Sequence, residues 1–317
     1  MSERTGFRDP KVLVPFVTIT VIWGSTWIVI KDQLGGGGDV AVPPAWSVTY
    51  RFVIAAAAMF AYALWTKAPL RMGWRGHAIA AAFGIPQFCL NFNLVYVAEL
   101  YVTSGLVAVV FALLMVPNSA LAWLFLKHPA SGRFVAGSAI ACLGVALLFL
   151  QEIRASPVSA HAAAVGIGLA LLAVLTASAA NVIQAIPRVR ARPIAANLAW
   201  GMLYGALANA AFAIAWFGPP VAEARPGYWL GLLYLGLLAS AAAFTLYLRV
   251  IRAVGPGKAA YSSLIVPVIA MAISTGAEGY RWSALAVAGA IVALAGMAIA
   301  LRAEAPADDQ PSSQRIL

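Results

Sequence analysis

Trp23, Thr26, Trp27 and Ile30 stand at i, i+3, i+4 and i+7 within one apolar run, so two indoles and a hydroxyl share a helix face. Indoles stack on planar or apolar solutes, and a hydroxyl can hold one polar group of the same molecule. Gln87 and Asn91 share another face, as do Asn181 and Gln184, with Ser178 nearby. Amides donate and accept at once, which suits a zwitterion or sugar-like solute without committing to charge. Phe111, Met115 and Asn118 in one run and Tyr261 in another are candidate wall residues on the same reasoning. The same set supports a second reading, in which polar side chains hydrogen-bond between helices at about 0.6 to 2 kcal/mol each and line nothing. Gly24-Ser25, on the other side of the indole face, reads as close helix packing.

Arg51 lies inside a further apolar run, where a cation must snorkel, pair with a neighbour or meet an anionic solute group. Glu99 and Asp32 are candidate partners, so Arg51 and Glu99 form a candidate ion pair or gate. Pro117 and Pro267 each remove a helical hydrogen bond and free a carbonyl; most such prolines are architectural, yet their matched placement suits hinges. Catalytic chemistry finds less support. No Ser-His-Asp or paired-carboxylate set can be assembled at one depth, and His77, His128 and His161 sit near different helix ends and offer no shared metal site. Gly255-Pro-Gly-Lys258 lacks phosphate-loop spacing and reads as a turn. Cys89 and Cys142 fall in apolar runs without metal-ligand spacing.

The elements that position these residues follow from composition. Of 317 residues, 62% are hydrophobic and 10% charged. A soluble globular domain carries about 25% charged residues, so this chain lacks the polar surface for water. Charge, Gly and Pro punctuate it into ten apolar spans: 12–30, 45–65, 76–98, 101–126, 133–150, 162–186, 194–217, 228–250, 257–277 and 282–301. The runs are continuous rather than alternating, which argues against a β-barrel. The first span is too long for a signal-peptide core and no cleavage site follows it, so it is expected to stay in the protein.

With the N-terminus cytoplasmic, 16 of the 21 Lys and Arg residues fall on the cytoplasmic side and 4 on the other, with Arg51 within a span. That bias predicts ten spans with both ends inside. None of the 11 acidic residues lies at mid-membrane, so a proton-coupled reaction would need an acid at the outer end such as Glu99 or Asp32, and exchange or facilitated diffusion would need none. An internal repeat is also visible. Leu114-Met-Val-Pro117 is answered by Leu264-Ile-Val-Pro267, and the run 136–146 (AGSAIACLGVA) by 288–298 (AGAIVALAGMA). Five spans per unit is odd, so the second unit enters the bilayer from the opposite side. The expected fold is an all-α polytopic membrane protein of ten transmembrane helices in two inverted five-helix repeats, at 12–150 and 162–301, with a disordered tail at 302–317.

Trp23-Gly-Ser-Thr-Trp27 ending in Lys31, Arg51-Phe52, the Tyr-x-x-Ser-Gly stretch at 101–105, Pro117, Pro267, and the Gly144 and Gly296 spans resemble the drug/metabolite transporter superfamily. More narrowly they are similar to its EamA-type ten-helix exporters, which include carriers of amino acids and related metabolites. The resemblance runs from about residue 12 to 301. Two places depart from the pattern: Lys127-His128-Pro129 stands where an acidic-basic pair is usual, and Ala98-Glu99-Leu100 interrupts the usual Ala-Leu. The resemblance implies export of small organic metabolites and, because Arg-Phe at this place is a family feature, favours a structural ion pair for Arg51. It implies a bacterial inner-membrane carrier with a small-molecule substrate and the lipid bilayer as partners, no nucleic acid, no cofactor, no metal and no enzymatic activity, acting as monomer or homodimer. The aromatic face points weakly to aromatic or apolar amino acids. A membrane-embedded enzyme would need clustered ionisable groups at one interface, and a non-transporting scaffold would have its amides all paired between helices.

Overall fold

A computed structural model describes residues 9–35, 41–126, 131–155, 160–254 and 262–304. Its membrane-type helices are α1 (Pro10–Leu34), α2 (Pro44–Trp65), α3 (Trp74–Ala98), α4 (Ser104–Phe125), α5 (Gly132–Ala155), α6 (Ala160–Ala185), α7 (Ile194–Phe217), α8 (Pro226–Val250), α9 (Ser262–Ala277) and α10 (Ala284–Glu304). Seven of them, α1–α4 and α6–α8, are long and apolar enough to cross a bilayer unaided; α5, α9 and α10 contain the shorter apolar stretches Gly132–Leu148, Ile265–Ala277 and Ala284–Ala300. The protein is an all-α polytopic membrane protein. Tyr261, His128, the Gly255–Lys258 turn and most of the expected tail lie outside the described residues, and α10 runs helically to Glu304, into the segment expected to be tail.

Local chemistry sets the helix ends. Asp9 caps α1 by accepting from the Lys11 backbone N–H at 2.8 Å, and prolines open α1, α2 and α8, where the missing N–H costs nothing. Gly218 ends α7 at φ +80°, a conformation that suits glycine. The outer surface is apolar, with Val14, Leu64, Phe125, Leu143, Leu207 and Ile291 all exposed, as lipid contact requires. Trp65 and Trp74 lie exposed where α2 meets α3, while Trp216 and Trp229 stand where α7 meets α8, giving an indole at each end of the bundle.

The packing has the symmetry of the repeat. Equivalent helices pack on each other, α2 on α7, α4 on α9 and α5 on α10, while α1 lies against α8 and α9 as α6 lies against α3 and α4. The α5–α10 pair is a self-complementary seam of glycines. A Cβ at Gly144 would stand 2.6 Å from the Gly289 carbonyl oxygen, and one at Gly289 would stand 2.9 Å from that of Gly144. Gly137 and Gly296 repeat the relation at 2.7 Å each way. Lipid supplies no hydrophobic drive between helices, so close backbone contact of this kind holds them together.

Three helices are irregular. The middles of α3 and α8 are π-helical, over Pro86–Leu90 and Tyr234–Ala242, a geometry frequent at functional sites. In α4 the helix stops at Ala112 and restarts at Met115. Pro117 lacks an N–H for the carbonyl of Leu113 and its ring crowds that carbonyl, which places the break four residues upstream. Pro267 lies within the continuous helix α9, so the described part of the second repeat carries no equivalent break.

Candidate functional site

The irregular helices border a cavity of about 250 Å³, just below the usual range for small-molecule sites. Its walls come from α1, α3 and α4 of the first half and their counterparts α6, α8 and α9. Gln87, Phe92 and Val95 on α3 are matched by Ala239, Phe244 and Tyr247 on α8, each 152 residues later (239 − 87). The wall positions are thus duplicated, but their chemistry is not. Arg51 breaks the symmetry: it reaches the cavity from α2, whereas the equivalent α7 contributes nothing to the lining.

Aromatic rings form two walls. Trp23 stands edge-on to Phe244 at 5.7 Å between centroids and tilted against Tyr247 at 5.1 Å. Trp27 packs against Phe111 at 5.2 Å. The Trp23 indole N–H donates to the Ala239 carbonyl at 3.2 Å, inside the π-helical part of α8, and the Thr26 hydroxyl donates to the Trp23 carbonyl at 2.7 Å. Asn118 and Asn181 meet across α4 and α6 at 3.4 Å. Four buried polar atoms of lining residues have no hydrogen-bond partner among the described residues: Trp27 Nε1, Gln87 Oε1, Asn91 Oδ1 and Arg51 Nη1. Buried polar atoms are normally paired, so four unpaired ones among the lining residues leave hydrogen-bonding capacity beside the cavity.

Arg51 is 2% exposed. Its Nε donates to the Ser240 hydroxyl at 3.2 Å, and its guanidinium carbon lies 4.2 Å from the Phe92 ring centroid and 5.3 Å from that of Phe52. The ion pair considered between Arg51 and Glu99 is not made. Glu99 sits past the end of α3, fully buried, with neither carboxylate oxygen hydrogen-bonded, while Lys31 Nζ donates to the backbone carbonyls of Glu99 and Val102. Burial pushes the Glu99 carboxyl well above the usual range; Lys31 and Arg51 oppose the shift and Glu278 adds to it. Asp32 pairs instead with Arg225, at 3.0 Å.

The profile of the EamA-like transporter family matches the chain twice, over residues 11–150 and 164–302, nearly its whole length. The chain belongs to the EamA-like transporter family. It is therefore a membrane transporter of the drug/metabolite transporter superfamily. This EamA-like transporter is 26% identical to Protein PagO of Salmonella typhimurium over 285 residues, 87% of this chain and 88% of PagO. A crystal structure at 20% identity shares the fold with a TM-score of 0.65, covering 93% of this chain and 99% of the other.

Of the residues singled out in the sequence, Trp23, Thr26, Trp27, Gln87, Asn91, Phe111, Asn118, Asn181, Arg51 and Pro267 of the transporter line the cavity. Met115, Gln184, Glu99 and Pro117 do not, Met115 being packed in the core. Asn93, one residue off the lining face of α3, ties that helix to α7 by donating to Asn209 Oδ1 at 2.6 Å. Phe92, Phe244, Tyr247 and Ser262 were not singled out. Carrying Gln87 and its lining neighbours forward by the repeat offset would have found the α8 wall.

Proposed function

We propose that this EamA-like transporter is a secondary carrier of the bacterial inner membrane that exports small organic metabolites, foremost amino acids with aromatic or apolar side chains. Its repeats, 12–150 and 162–301, rock against each other so that the cavity opens to one face and then the other. Both termini are cytoplasmic on this reading, from the distribution of Lys and Arg. The observation that carries the proposal is the cavity itself: aromatic walls, convergent amides and unpaired polar atoms enclosed where helices of the two halves meet. Its size suits a single small solute.

Proteoliposomes loaded with labelled phenylalanine are expected to release it faster with the protein than without, and the Trp27→Ala variant to be slower. Equal release across a broad panel of amino acids and related metabolites would remove the reading. Collapse of the proton gradient separates coupling modes: exchange or facilitated release persists, and proton-coupled export stops.

A further inference from the structure

We propose that the cavity selects solutes carrying a single carboxylate on a flat apolar body, with the carboxylate docked on Arg51. The inference rests on the carrier reading and names the solute class for that same cavity.

The charge of the wall is one-sided. Arg51 and Tyr247 are the ionisable side chains among the described lining residues, and no Asp or Glu is among these. A guanidinium does not deprotonate in a protein, so Arg51 brings a full positive charge to a buried position on the cavity wall. Its hydrogen-bonding neighbours are neutral hydroxyls, Ser240 and Tyr96, burial favours the neutral form of nearby Glu99, and among the described residues the ion pairs lie elsewhere, at Arg225. An unpaired buried charge is costly until an anion arrives, and binding one then replaces a cost with a charge-assisted hydrogen bond.

The geometry also fixes what the anion is attached to. Phe92 and Phe52 hold the guanidinium by their rings, and Nη1 is left without a partner. The planar fork of arginine matches a carboxylate, and one cation balances one negative charge rather than two. Trp27 Nε1 offers a second unpartnered donor on the same cavity. The remaining walls, Trp23, Phe111, Phe244 and Tyr247, are ring faces and edges suited to a planar apolar body.

Phenylacetate, phenylacetamide and phenethylamine share one shape and carry charges of −1, 0 and +1. Their binding to the full-length protein in nanodiscs is expected to run acid, amide, amine in falling order, the acid leading the amide by about 10-fold or more, as hydrogen bonds to charged groups imply. Arg51→Gln should erase the acid's lead, and Arg51→Lys, which keeps the charge but loses the fork, should fall between. The wild-type series decides the matter even if Arg51→Gln fails to fold. Equal binding of acid and amide, tighter binding of the amine, binding of none of the three, or an acid preference that survives in Arg51→Gln would each overturn the inference. Acid binding without flux in proteoliposomes would remove the carrier reading and leave the anion site; flux of amide or amine at the acid's rate would do the reverse.

Discussion

Glu99 has no exposed surface and no hydrogen bond to either carboxylate oxygen, so folding favours its protonated form. A carboxyl whose folded value is raised contributes full stability below its unfolded value, near 4.3, and loses it as pH climbs through the folded value. Unfolding temperature in detergent should therefore fall as pH rises above about 5, and Glu99→Gln should flatten that slope and match or exceed the wild type at pH 8. A variant less stable than wild type at pH 8 would show that Lys31 and Arg51 hold the charged form instead. At this scale the sequence was only half legible. Gln87, Asn91 and Asn93 are all amides in one span, and polar contact with a solute and polar contact between helices draw on the same residue types. Only their directions separate them: Gln87 and Asn91 line the cavity while Asn93 reaches Asn209 on α7. The pairing of Arg51 was likewise hidden, because helix ends distant in sequence bring the Lys31 ammonium to the Glu99 backbone carbonyl and Asp32 to Arg225.

Helices were read more surely than side chains, since a bilayer demands long apolar runs and forbids unpaired backbone. The span expected at 194–217 coincides with α7, and the others differ by a few residues at their ends. What the apolar pattern conceals is irregularity. The π-helical segments of α3 and α8 leave the run of hydrophobic residues unchanged, and the break in α4 is announced only by Pro117. The glycine seam gives a test at this scale. Gly144→Ala drives a methyl into the backbone of α10 and should lower stability by about 1 to 3 kcal/mol, as overpacking does. Gly168→Ala, on an exposed face of α6 with nothing within 4 Å of the added Cβ, should be neutral or mildly stabilising by helix propensity. Paired thermal melts check both, and equal shifts would mean that the seam bears no load.

The molecule as a whole is two copies of one packing plan whose shared surface is a cavity. Composition alone assigned it to the membrane, and the matched runs at 136–146 and 288–298 showed the duplication, later seen as the α5–α10 seam. The duplication did not show which half supplies the chemistry. Indoles and the guanidinium come from the first half, Phe244 and Tyr247 from the second, and residue identity diverges where position is kept. Such a site, enclosed between two oppositely oriented halves, works as a carrier only if each membrane face reaches it in turn. Ala177, a small lining residue on α6, allows that to be measured without knowing the solute. Ala177→Cys in a background with Cys89 and Cys142 replaced would be treated with a membrane-impermeant methanethiosulfonate in right-side-out and in inverted vesicles. Modification from both faces, slowed in each case by a transported solute, is the predicted result; modification from one face alone, or from neither, would contradict alternating access through this cavity.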